Sequence, residues 1–140
     1  MGFEKDIIVL DGEAMQPLLN YENAVIPIEK FTQYVLDPIR SREKAIMFER
    51  ALGYTVRNAD KLVENIRKHL GDYNAKKKGD IGYGMTYEVV MELTDENGKK
   101  AHVLTAWISD AATGETRLTS AYIKKLKEEA KCLIFTKPSA

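Results

Sequence analysis

The feature that most constrains this chain is a change of hydrophobic period near its middle. Up to about residue 70 apolar side chains recur at three- and four-residue steps, and from residue 85 they alternate in twos. A helix returns to one face every 3.6 residues and a strand every 2, so the halves require different secondary structure. In the first half Pro27 suits a first helical turn, Phe31, Tyr34 and Val35 repeat at helical spacing, and Asp37-Pro38 stops the run, because a residue before proline avoids helical geometry. This predicts a short helix near 28–36. Ser41 caps a second helix with Ala45, Phe48 and Leu52 on one face and Gly53 at its left-handed end. Asn58 caps a third, with Leu62, Val63, Ile66 and Leu70 in line and Gly71 as its stop.

In the second half Met85, Tyr87, Val89, Met91 and Leu93 alternate with Thr86, Glu88, Val90, Glu92 and Thr94, the pattern of a half-buried strand. Asp95-Glu96-Asn97-Gly98 supplies a turn, and Lys100 to Ser109 returns as the partner strand. A loop of two or four residues would place His102, Leu104, Ala106 and Ile108 on the core face with Met85 through Leu93. The opposite face would then show Thr86, Glu88, Val90 and Glu92 beside Ala101, Val103, Thr105 and Trp107. A third strand is expected from about Thr116 to Ile123, with Leu118 and Tyr122 inward and Arg117, Thr119 and Ala121 outward. Ile7 to Leu10 reads as strand-like, Lys124 to Lys131 as a short helix and Cys132 to Thr136 as a last strand. Helices first and an antiparallel meander afterwards predict an α+β domain, with the N-terminal helices packed on one face of a three- to four-stranded antiparallel sheet.

Composition narrows the functional classes. The 140 residues match one domain of about 150 residues, taken here as residues 1–140. With 21 basic and 21 acidic residues the net charge is zero, and 44% hydrophobic with 30% charged residues is ordinary for a globular protein. The apolar runs are far shorter than the roughly 20 residues a membrane span needs. Met1 to Asp6 lacks the basic, then apolar, signature of a secretory leader, so the expected setting is the cytoplasm with no membrane partner. One cysteine and two histidines leave no recognisable zinc spacing, and neither a metal nor an organic cofactor is expected. Charge is unevenly spread: residues 1–23 carry five acids against one base, and residues 117–140 carry six bases against two acids. Such asymmetry suits either an anion-binding surface or two solvated faces that compensate each other.

The expected free face gathers Thr86, Glu88, Thr105, Trp107, Arg117 and Thr119. Cleaving RNA without a metal needs groups of these kinds: a base for the ribose 2′-hydroxyl, a cation for the phosphorane charge and an acid for the leaving oxygen. Glu88 would be the base and Arg117 the charge stabiliser, since its planar fork matches phosphate oxygens. Thr119 and Thr105 would donate single hydrogen bonds, and Trp107 would stack on a splayed base. The plain alternative is that Thr, Glu and Arg are cross-strand pairs on a solvated sheet. His102 is read as a buried or rim histidine and His69 as a favourable charge at a helix C-terminus. Lys76-Lys77-Lys78, flanked by Gly79, Gly82 and Gly84, reads as a loop, either phosphate-gripping or simply solvated. Arg40, Arg42 and Lys44 crowd a helix start, where the macrodipole disfavours them, so an anion or nearby carboxylates would have to account for them.

Several segments together resemble an uncharacterised bacterial domain family of phage-like, mobile and polymorphic-toxin contexts. They are Pro27-Ile28-Glu29-Lys30-Phe31 through Tyr34-Val35-Leu36-Asp37-Pro38, Glu43-Lys44-Ala45 with Phe48, Leu52-Gly53-Tyr54, Gly84 to Val89, Asn97-Gly98-Lys99, Thr105 to Ile108 and Arg117 to Tyr122. The likeness covers residues 26–123 and leaves 1–25 and 124–140 as extensions. Helices before sheet, and a strand reading Arg-Leu-Thr-Ser-Ala-Tyr, look like the barnase, EndoU, colicin and RelE group of metal-independent ribonucleases. The resemblance implies a small ribonuclease or toxin-like domain with Lys44, Thr86, Trp107, Arg117, Thr119 and Tyr122 at its site. Arg117 and Lys44 would hold phosphate, and Thr119, Thr86 and Tyr122 would orient it. Tyr122 is followed here by Ile123, where that group often has proline. The competing expectation is a non-catalytic, immunity-like or phage-associated module whose open sheet docks a cognate protein.

Overall fold

The computed structural model describes residues 16–124; the expected elements at 7–10, 124–131 and 132–136 lie wholly or almost wholly outside it. The helical half contains a π-helical segment, α1 (Phe31–Val35), and two α-helices, α2 (Arg42–Leu52) and α3 (Ala59–His69). Phe31 and Val35 point inward from α1. Gly53 ends α2 at φ 76°, as its lack of a Cβ permits. The capping differs from expectation: neither Ser41 nor Asn58 bonds its own helix through its side chain. Asn58 instead completes a capping box with Thr55 on the 3-10 turn Val56–Asn58 that leads into α3. Leu62, Ile66 and Leu70 are fully buried, as the spacing predicts. Gly71 has a steric role more than a stopping one, because a Cβ there would run into the Tyr21 ring.

The other half is a four-stranded antiparallel meander in the order β1-β2-β3-β4, with β1 (Lys76–Asp80), β2 (Gly84–Thr94), β3 (Lys100–Asp110) and β4 (Thr116–Ile123). The fold is therefore α+β. Lys76-Lys77-Lys78 is part of edge strand β1 and not a loop, and its lysines keep that edge from templating another strand. The β4 edge is occupied from within: Val25 forms a parallel bridge beside Arg117, its N–H bonding the Thr116 carbonyl and its carbonyl accepting from Leu118 N–H.

The β2–β3 register corrects the expected faces. Thr94 pairs with Lys100, so the loop between them holds five residues, Asp95 to Lys99. Asp95 stabilises that length by accepting from the backbone N–H groups of Asn97 and Lys99 at 2.8 and 2.7 Å. An odd loop puts odd-numbered residues of β2 opposite odd-numbered residues of β3: Tyr87 faces Trp107, Val89 faces Thr105 and Met91 faces Val103. The covered face is thus Val89, Met91, Leu93, Val103, Thr105 and Trp107, packed with Phe48, Leu52, Leu62 and Ile66 of the helices. His102, Leu104, Ala106 and Ile108 turn to the opposite face. A bulge at Thr119 between Leu118 and Ser120 makes a second shift, so Ala121 points in and Tyr122 points out, the reverse of the expectation.

Candidate functional site

On the face away from the helices, side chains stand in rows that cross the strands. One row runs Thr86, Ile108, Arg117; the next runs Lys76, Glu88, Ala106, Ser120; then come Val90, Leu104, Tyr122 and finally Glu92, His102. Ala106, the smallest outward side chain of β3, stands in the middle of the second row. Glu88 stands on one side and Ser120 on the other, two strand spacings apart, or roughly 10 Å between Cα atoms. Arg117 and Tyr122 flank Ser120 along β4, and Lys44 reaches over from α2 to donate to Ser120 Oγ at 3.2 Å, its ammonium 5.8 Å from the Tyr122 ring centroid. This contact accounts for one of the cations at the start of α2. Arg40 has a different use, lying 5.0 Å over the Tyr34 ring.

Charges around this row are balanced locally. Glu88 lies 3.9 Å from Lys78, and Arg117 lies 3.2 Å from Glu115, both pairs being partly solvated. Such exposed pairs open readily, since each is worth at most about 1 kcal/mol. Both the carboxylate and the guanidinium are therefore available to a ligand that offers more.

Of the eight residues expected at the site, five lie on the open side of the sheet in the Ala106 row or beside it: Arg117, Glu88, Lys44, Tyr122 and Thr119. Thr119 is exposed at the bulge, but its hydroxyl donates to the Ala106 carbonyl at 3.1 Å. Thr86 likewise donates to Gly79 O at 2.9 Å, so each has committed its one proton and keeps only lone pairs. Thr105 and Trp107 are removed altogether: both are 0% exposed, on the helix-covered face. Trp107 Nε1 donates to Thr105 Oγ1, which donates to Val89 O, each at 2.8 Å, a chain that satisfies the buried indole and hydroxyl. They are core residues and cannot stack on or bind a substrate.

The sequence reading passed over Ser120, and it put Ala106 and His102 on the core face, from which the register removes them. His102 is half-exposed on the open face, directly across from Glu92. The signal was present in the loop itself: counting Asp95 to Lys99 as five residues reverses the face of every residue on β3. Among the described residues no cluster of three His, Cys, Asp or Glu side chains suits a metal ion. No helix among them is long and apolar enough to cross a membrane.

In comparison with known proteins, the sequence model of one family, a domain of unknown function (DUF6883), matches residues 17–125. No curated protein and no solved structure matches.

Proposed function

The chain belongs to the DUF6883 family, and we propose that the open sheet face around Ala106 is the site of a ribonuclease that acts on RNA without a metal or organic cofactor. The observation that carries this reading is the row Glu88, Ala106, Ser120, with Arg117, Lys44 and Tyr122 around its far end. A helical half followed by a four-stranded meander, with one sheet face left open, agrees with the likeness to the barnase, EndoU, colicin and RelE group. Fold likeness alone does not assign chemistry; the side chains do.

In this reading the Glu88 carboxylate takes the proton of the ribose 2′-hydroxyl, whose oxygen attacks phosphorus. Arg117 and Lys44 stabilise the negative charge that builds on the non-bridging oxygens. The Tyr122 hydroxyl protonates the departing 5′-oxygen, leaving a 2′,3′-cyclic phosphate. Because the net charge is zero, attraction for RNA comes from the local set Lys44, Lys76, Lys78, Arg117 and Lys124, and affinity falls steeply with salt. The proposed setting is the cytoplasm.

The test is incubation of the full chain with total RNA in chelator. Cyclic-phosphate ends are expected, with Glu88→Gln and Arg117→Ala each slowing cleavage by about 100-fold or more. Thr119→Ala is expected to change the rate little, because its hydroxyl proton is bound to Ala106 O. Absence of cleavage by the parent chain overturns the proposal.

A second reading has its own observation: Val90, Leu104 and Tyr122 form an apolar row across the same face, and Ala106 and Ile108 continue it along β3. Such apolar surface suits an anchor for a cognate protein. Failure to cleave RNA, together with binding of a protein that Ile108→Lys abolishes, would establish it.

A further inference from the structure

Where α2 passes the end of β4 there is a groove of about 520 Å³, lined by Glu43, Lys44, Ile46, Met47, Tyr122 and Ile123. It adjoins the row Glu88, Ala106, Ser120, because Lys44, which lines the groove, donates to Ser120 Oγ at 3.2 Å. Its walls are mainly apolar, its rim carries one ammonium and one carboxylate, and Tyr122 at its mouth is 38% exposed. We infer that this groove holds one unpaired nucleobase of single-stranded RNA, stacked on Tyr122, with the adjoining phosphate at Lys44. The inference rests on the ribonuclease reading and extends it to substrate class.

Three features favour a base over another apolar group. A base is flat, and an exposed aromatic ring offers stacking that any of the four bases accepts. Glu43 supplies an acceptor suited to a base amino or imino group, which a hydrocarbon lacks. The ammonium, held toward the ring by Ser120, stands where a nucleotide carries its negative charge. A base within a duplex is stacked on both sides and cannot enter, so the groove selects unpaired strands.

The test separates binding from cleavage by using a probe that cannot react: a short single-stranded oligoribonucleotide with every 2′-hydroxyl methylated, titrated into the full chain and followed by fluorescence anisotropy. Tyr122→Ala is expected to weaken binding about tenfold, with Tyr122→Phe restoring most of it, while Tyr83→Ala, at an exposed tyrosine on the β1–β2 loop, leaves it unchanged. The same strand annealed into a duplex is expected to bind at least tenfold more weakly. Equal binding by Tyr122→Ala and the parent, or equal binding of the duplex, overturns the groove assignment even if the parent chain cleaves RNA. Tyrosine-dependent binding of the probe by a chain that cleaves nothing upholds the groove and overturns only the catalytic reading. No binding of the probe at all overturns the groove as well.

Discussion

Thr105 and Trp107 show how one side chain's surroundings decide its role. Both have the chemistry of a recognition surface, yet here each satisfies the other inside the core. Thr105→Val keeps the shape and removes the acceptor, leaving the Trp107 N–H buried without a partner. A loss of about 1–3 kcal/mol is expected, read as a lower denaturant midpoint at constant slope. Tyr54 is a second residue whose setting matters. Its buried phenol accepts from Asn65, which also donates to the Thr94 carbonyl, tying α3 to the β2–β3 hairpin. Burial, opposed by the Asn65 bond and reinforced by nearby Asp95 and Glu96, raises its pKa above the ordinary value of 10.0. The unfolded chain then loses this proton at lower pH than the folded one, so the contribution is whole below pH 10 and is lost as pH rises through the folded value. Stability measured by denaturation should therefore fall above about pH 10 in the parent. Tyr54→Phe should flatten that part of the decline.

At the level of elements, the β2–β3 loop has the largest consequence per residue. Its five residues fix which face of β3 meets the helices, and shortening it by one reverses that choice. Deleting Asn97 alone would force Val103, Thr105 and Trp107 outward or break the ladder, with an expected loss above about 4 kcal/mol. Deleting Glu96 and Asn97 together restores an odd, three-residue loop, a length hairpins use readily, and should fold. Circular dichroism and denaturant melts of the two variants check the contrast. The helices themselves were legible in the sequence, because the spacing of Phe48, Leu52, Leu62 and Ile66 reports burial directly. Strand β1 was not: Lys76-Lys77-Lys78 has no alternation, and it is a strand only because β2 offers it an edge.

Across the whole molecule the helices cover one sheet face and leave the other open. Tolerance to charge should divide along that line. Met91→Lys, on the covered face at 0% exposure, should unfold the protein at a cost of several kcal/mol. Ile108→Lys, partly exposed on the open face, should cost less than about 1 kcal/mol. Thermal melts of the two variants decide the matter. The residues of the candidate site come from α2, β2, β3 and β4, and their convergence belongs to this scale. Glu88 and Ser120 are neighbours only because β3 lies between them with its smallest outward side chain, Ala106, at that row.

The sequence by itself determined the order of helices and sheet, the approximate span of α2, α3 and three strands, and the outward placement of Glu88 and Arg117. These follow from periodicity and from turn residues, which act over a few neighbours. Tertiary structure decided which face of β3 and of the end of β4 became the core. Face assignment depends on the parity of a loop and on one bulge, and a single residue in either inverts every side chain beyond it. For that reason Trp107 and Thr105 lie in the interior, while His102 and Tyr122 face the open side of the sheet.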